Sequence, residues 1–254
     1  MKRTAAVLYG LVGYVFFFGT FLYAIGFVGN VGVSKSIDKG SFAPPLTAML
    51  IDLSLLGVFA VQHSVMARRG FKRVWVRIVP PPVERTTYVV AASLALALIL
   101  WQWRPIPRLV WDVSDTTIEL VLQAWFWMGW GILLVSTLLV NHFELFGLAQ
   151  VWTYYGNRNP DQSAFRAPAL YRLVRHPIYL GFLIGFWSTP KMTLGHLLFS
   201  VATTAYILLG IYCEERDLIA GYGNTYHEYR RRVPMLVPFS KRTGASEKKV
   251  KTIA

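Results

Sequence analysis

Residues 4–28, TAAVLYGLVGYVFFFGTFLYAIGFV, run for 25 positions without a charged side chain. A helix needs roughly 20 mostly apolar residues to cross the hydrocarbon core of a bilayer. Inside that core every backbone N–H and C=O must be paired within the protein, and a helix does this within one segment. The stretch is too long for a signal peptide and lacks a small-residue cleavage site with a polar flank, so it reads as a membrane span. Working outward, residues 46–66, 86–103, 118–140 and 194–213 are apolar runs of the same kind. A further run begins after Pro177 and meets Thr189-Pro190-Lys191 too soon for a full upright span. With 194–213 it reads as a helical hairpin whose tip lies at or just inside the far interface. The expected fold is all-α and integral to the membrane, with about five full transmembrane helices plus a shorter one.

Composition agrees. The chain of 254 residues is 54% hydrophobic and only 15% charged, with a mean hydropathy of +0.42. Soluble domains carry about 25% charged residues. Disorder, a disulfide scaffold and a soluble nucleic-acid binder are excluded on this ground, and the single cysteine, Cys213, has no partner for an internal disulfide.

The net charge of +13 is explained by where the cations sit. Threading the chain through these spans places 21 of the 26 Lys and Arg on one side and five on the other. Positive loops face the cytoplasm, so both termini are expected there, with no need of nucleic acid. Trp101, Trp103 and Trp111 stand where the third span leaves the bilayer, as an aromatic belt would. No internal repeat is visible. The chain divides into an N-terminal set of spans (1–140), a C-terminal region (141–240) and a polar tail (241–254) expected to be disordered.

Ionisable groups at membrane depth are functional candidates, because a charge left in hydrocarbon costs several kcal/mol. Asp52 lies within the second span, and His63 follows 11 residues later on the same helical face, roughly 16 Å along the axis. Asp52 could equally pair with a polar group on a neighbouring helix, and His63 could be an interfacial residue. At the end of the fourth span Asn141-His142-Phe143-Glu144 offers an imidazole and a carboxylate; a helix-end cap is the other reading. The five histidines make no His-x-x-x-His pair and the lone cysteine has no companion at ligand spacing, so no metal site emerges. No Gly-x-Gly-x-x-Gly opens a helix either.

The densest cluster is Tyr171-Arg-Leu-Val-Arg175-His176-Pro177-Ile-Tyr179-Leu-Gly181. Pro177 suits the first turn of a helix, where its missing N–H is not needed. Arg175 and His176 then stand at the helix mouth, where free N–H groups and the positive dipole end favour an anion. Gly181 permits a close approach of helix or ligand. Across the hairpin, Cys213-Glu214-Glu215-Arg216-Asp217 returns to the same surface, so cationic and acidic pairs meet at one level. Mutual salt bridges at the interface would explain them; so would a zwitterionic ligand. Tyr222 to Pro234 carries tyrosines at helical spacing between basic residues, which suits an amphipathic surface helix or a lid.

These residues resemble a known family. Arg175-His176-Pro177-x-Tyr179-x-Gly181, then Glu214-Glu215-Arg216-Asp217-Leu218, Tyr226-x-x-Tyr229 and Val233-Pro234 look like the isoprenylcysteine carboxyl methyltransferase superfamily of membrane enzymes. Ala60-Val-Gln-His63-Ser-Val-Met-Ala67-Arg, Pro81-Pro-Val-Glu84-Arg85-Thr-Thr-Tyr88-Val, Trp101-Gln-Trp-Arg-Pro105 and Asn141-His-Phe-Glu-Leu-Phe-Gly147-Leu are similar to the bacterial methanethiol S-methyltransferases. The resemblance spans roughly residues 5–240. It implies transfer of a methyl group from S-adenosylmethionine to methanethiol, a small volatile thiol, by a multi-pass protein of the bacterial inner membrane with its cofactor site facing the cytoplasm. By carry-over, Arg175, His176, Tyr179, Gly181, Glu214 and Glu215 would line the cofactor site. The thiol needs a base or a cationic field, for which His63 or the His142/Glu144 pair is expected, with Asp52 orienting a partner. Hydrogen sulfide, an isoprenylcysteine carboxylate or a phospholipid amine are alternative acceptors. A sterol reductase is disfavoured by the length of the chain. A non-catalytic membrane protein like the related NnrU proteins is a third reading, against which the intact Arg-His-Pro and Glu-Glu motifs stand.

Overall fold

A computed structural model describes residues 2–157 and 167–238; the expected disordered tail lies outside them. The five long apolar runs are helices of spanning length: α1 (Arg3–Gly29), α2 (Pro45–Ala67), then after a short α3 (Arg69–Trp75), α4 (Pro81–Gln102). Strand β1 (Leu109–Asp112) leads into α5 (Thr116–Val140), whose start is capped by the Asp115 side chain accepting from the Thr117 and Ile118 N–H groups. Two short helices follow, α6 (His142–Leu145) and α7 (Leu148–Tyr155). The short apolar helix α8 (Pro177–Trp187) turns through β2 (Lys191–Thr193) into the long α9 (Leu194–Tyr222), and α10 (Asn224–Arg232) is the last described helix. The chain is a multi-pass membrane protein by the length and composition of five helices.

Two boundaries differ from the expectation, for local reasons. The third span begins at Pro81 rather than at 86, because Pro81 and Pro82 fit the first turn. The last span runs on to Tyr222 rather than stopping at Cys213, so Glu214 and Glu215 are helical residues on its final turns.

Counting crossings, α1 starts and α10 ends at the same end of the bundle, here called the proximal end. At the distal end β1 and β2 pair antiparallel with a bulge between Leu109 and Trp111, and Lys191 meets Asp112 at 3.8 Å. The main core joins α1, α4, α5, α8 and α9 through Phe27, Ile99, Trp103, Phe126, Trp130, Phe186 and Phe199. Many large apolar side chains on α1, α2 and α5 are exposed, Val12, Val61 and Trp127 among them, as a lipid-facing surface requires.

Helix α8 is seated on α5 through glycine. A Cβ at Gly181 would stand 2.6 Å from the Gly129 carbonyl oxygen, and one at Gly129 would stand 2.7 Å from the Gly185 amide nitrogen. Gly181 and Gly185 are four apart on α8, the spacing by which small residues let two backbones meet in a membrane. This contact fixes where the α8 N-terminus, and so Arg175-His176, sits at the proximal end.

Candidate active site

Glu215 organises the α8 mouth. Its Oε1 accepts from Arg175 Nε at 2.7 Å and lies 3.2 Å from His176 Nε2, while Oε2 lies 3.3 Å from Arg230 Nε on α10. Both Glu215 and His176 are buried, 7% and 4% exposed. Arg175 also donates from Nη1 to the carbonyls of Val233 (2.6 Å) and Arg230 (3.3 Å). Backbone bonds from Arg175 and His176 to Pro234 and Met235 dock the segment after α10 onto the same two residues. Tyr229 donates to the Tyr171 carbonyl at 2.5 Å, and burial pushes the Tyr229 phenol up to about 12. Burial, then the neighbouring Glu214 carboxylate, pushes the Tyr171 phenol up as well, so both are neutral donors at physiological pH.

This knot forms one wall of a cleft of about 790 Å³ opening at the proximal end. His176, Tyr179, Glu214 and Tyr171 line it from the C-terminal region, and His63, Arg85 and Tyr88 face them from α2 and α4. His176 Nδ1 stands 3.8 Å from Glu214 Oε2. On the opposite wall the Tyr88 hydroxyl lies 2.9 Å from His63 Nε2 and 3.2 Å from Nδ1, and Phe59 stacks on the imidazole at 5.2 Å. Ser64 and Tyr206 share a hydrogen bond of 3.0 Å beside them.

The structure thus brings Arg175, His176, Tyr179, Glu214 and His63 to one cleft. Two cofactor candidates stand behind its wall: Gly181 in the α5–α8 contact and Glu215 beneath Arg175 and His176. Three candidates for catalysis lie elsewhere. Asp52 is fully buried toward the distal end, where Oδ1 accepts from the Arg104 N–H at 2.9 Å beyond the end of α4. His142 is enclosed at the α5–α6 junction, its Nε2 bonded to the Tyr14 hydroxyl (2.8 Å) and its Nδ1 to Thr137 Oγ1 (3.0 Å). Burial holds its basicity below the ordinary value. Glu144 accepts from Asn141 Nδ2 at 3.0 Å, and Asn141 Oδ1 accepts from the Glu144 N–H at 3.3 Å. Asn141 and Glu144 therefore cap α6, and His142 joins α6 to α1 and α5.

Sequence reasoning passed over Arg85 and Tyr88 as site residues, although both stand in a quoted motif. Their spacing of three puts them on one helical face one turn inside α4, and a cation followed by a phenol at a span's edge was the available signal. Among the described residues no three His, Cys, Asp or Glu side chains gather as a metal site.

Comparison with known proteins gives relatives along nearly the whole chain. A family model described as "Protein of unknown function (DUF1295)" matches residues 83–233. The chain is 52% identical to a methanethiol S-methyltransferase of Mycobacterium tuberculosis, over 95% of this chain and 99% of the other. It is 49% identical to a methanethiol S-methyltransferase of Crocosphaera subtropica, over 94% of each. Nurim of Bos taurus is 29% identical over 68% of this chain and 69% of its own. No solved structure matches the chain significantly.

Proposed function

We propose a function from one premise: this chain belongs to the DUF1295 family and to the methanethiol S-methyltransferases. It is a membrane-embedded thiol methyltransferase that methylates methanethiol to dimethyl sulfide. The observation that carries this is the near-full-length identity of about half the residues to proteins of that name. S-adenosylmethionine is the methyl donor, and both termini and the mouth of the cleft face the cytoplasm of a bacterial inner membrane. Among the described residues most Lys and Arg fall at the proximal end, which supports that orientation.

The cleft fits that donor by size and by chemistry. Its volume is within the range of small-molecule sites, about 300–1,000 Å³. Tyr88, Tyr171, Tyr179 and the Glu214 carboxylate line the cleft and suit a cationic sulfur, since aromatic rings and carboxylates attract cations. Arg175 and His176 at the α8 mouth suit a carboxylate, and Glu214 suits an amine or hydroxyl. When bound, S-adenosylmethionine supplies a methyl group already activated by its sulfonium.

The protein's own work is to position the acceptor, exclude water and handle one proton. A free thiol has a pKa of roughly 8.5, and the thiolate is the nucleophile. His63 stands in the cleft with its ring fixed between Phe59 and Tyr88, and it takes the thiol proton. That proton leaves to water at the proximal mouth. The C-terminal region 141–240 holds the donor and the spans 1–140 present the acceptor, so the reaction takes place where the two meet. His142, Glu144 and Asp52 act as structural supports.

Headspace gas chromatography of purified protein with S-adenosylmethionine and methanethiol tests the reaction, with His176→Ala as control. Dimethyl sulfide from the wild type alone supports it. Calorimetric binding of S-adenosylmethionine with no dimethyl sulfide refutes the acceptor.

A further inference from the structure

Resting on the proposed function, we infer that Arg85 is the anion-binding group of the acceptor site, the cation against which the methanethiol sulfur is held as thiolate. Among the described cations of the cleft it alone lacks an acid. Arg175 has Glu215 as its acid and bonds two backbone carbonyls through Nη1, and Arg68 is paired with Asp217 at 3.7 Å. The neighbouring Glu84 is turned to Lys72, 4.0 Å away. Among the described residues Arg85 makes no ion pair at all. It is half-buried on the cleft wall, and a partly desolvated guanidinium without a counter-charge favours any anion that enters.

The guanidinium is also aimed. Its Nε donates to the Leu145 carbonyl at 2.8 Å and its carbon lies 5.1 Å over the Tyr88 ring. That leaves the terminal nitrogens to a ligand, beside the phenol that fixes His63. The Leu145 carbonyl is itself placed by the α6 turn. Gly147 there adopts φ +89°, and a Cβ on it would stand 2.7 Å from the Thr86 amide nitrogen. His142, locked between Tyr14 and Thr137, anchors the same turn. So the Asn141-to-Gly147 segment reaches the chemistry indirectly, by holding the carbonyl that orients Arg85. The base and the cation then have separate roles. His63 removes the proton, and Arg85 stabilises the charge left on sulfur.

The test is a pair of variants, Arg85→Met and Arg85→Lys, assayed for dimethyl sulfide against methanethiol at saturating S-adenosylmethionine, with donor binding measured by calorimetry. Arg85→Met is expected to lower kcat/KM for methanethiol on the order of 100-fold, as for loss of one charge-stabilising donor, with donor binding unchanged. Arg85→Lys, which keeps the charge but not the bond to Leu145, recovers part of that rate. Donor affinity lost with acceptor kinetics intact places Arg85 at the donor's carboxylate and overturns the inference. Should the variants not fold, thiocyanate on the wild type decides: competition with methanethiol supports the inference, and competition with S-adenosylmethionine overturns it. A wild type that makes no dimethyl sulfide sinks the underlying reading, whereas Arg85→Met matching an active wild type sinks this inference alone.

Discussion

Replacing Gly181 by alanine tests whether the α5–α8 contact fixes the site. The added Cβ would stand 2.6 Å from the Gly129 carbonyl oxygen and 2.8 Å from the Leu133 amide nitrogen, where ordinary contact begins at 3.4 Å. Both obstacles are backbone, which no rotamer change relieves, so the helices must part by several tenths of an ångström. Overpacking of this kind costs about 1–3 kcal/mol. For a chain of this size each kcal/mol lowers the melting temperature by about 2–4 °C. Two neighbouring glycines grade the effect. A Cβ at Gly185 meets the Trp130 ring at 3.2 Å, a contact a side chain can ease, and one at Gly131 meets nothing within 4 Å. At Gly131 alanine gains helix propensity, up to about 1 kcal/mol. Thermal unfolding of the three variants in one detergent should therefore rank Gly131→Ala highest, then Gly185→Ala, then Gly181→Ala. Gly181→Ala should also weaken donor binding, because α8 carries His176 at its start. A Gly181→Ala melting temperature equal to that of Gly131→Ala would refute the close contact and the positioning of α8 inferred from it.

Other outcomes follow from the same geometry. Glu215→Ala leaves Arg175 without its buried acid, a loss of about 3–5 kcal/mol, and should abolish donor binding by calorimetry in whatever protein folds. His63→Ala should remove most dimethyl sulfide formation with donor binding retained; full turnover would take His63 out of the mechanism. Asp52→Asn, which still accepts from the Arg104 N–H, should leave turnover near wild type, whereas Asp52→Ala orphans that N–H and costs about 1–3 kcal/mol in thermal unfolding. Burial holds His142 below its ordinary value of 6.5, so the unfolded chain takes up a proton there before the folded one does. The stability His142 contributes is complete above about pH 6.5 and is lost as pH falls toward the folded value. His142→Gln should lose less melting temperature than wild type between neutral pH and pH 5.

What could be read from the sequence follows the physics of each signal. Spans of 22–29 residues announce themselves, because lipid demands uninterrupted apolar helix. The truncated α8 was visible too, since Pro177 and Pro190 bracket it. The Arg175-His176 and Glu214-Glu215 clusters were placed at one level by counting along two helices. The sequence could not separate the two glutamates by depth: Glu215 faces inward to Arg175, His176 and Arg230, and Glu214 faces the cleft. The surroundings of Asn141-His142-Phe143-Glu144 were hidden for a similar reason. A capping set and a catalytic pair use the same residue types, and only the hydroxyls of Tyr14 and Thr137 show what the imidazole is bonded to. Arg85 was missed because an unpaired cation is a statement about every acid around it, which no linear pattern contains. The β1–β2 pair at the distal end joins segments about 80 residues apart and has no local signature either.

The most direct measurement follows the methyl group itself. Purified protein in vesicles of bacterial lipid is given S-adenosylmethionine deuterated in its methyl group, together with methanethiol, and both headspace and lipid extract are analysed by mass spectrometry. Deuterated dimethyl sulfide, formed by the wild type and not by His63→Ala or His176→Ala, is the predicted result. Label recovered in lipid amines or carboxylates, with unlabelled headspace, would contradict the thiol acceptor and the whole division of the cleft proposed above.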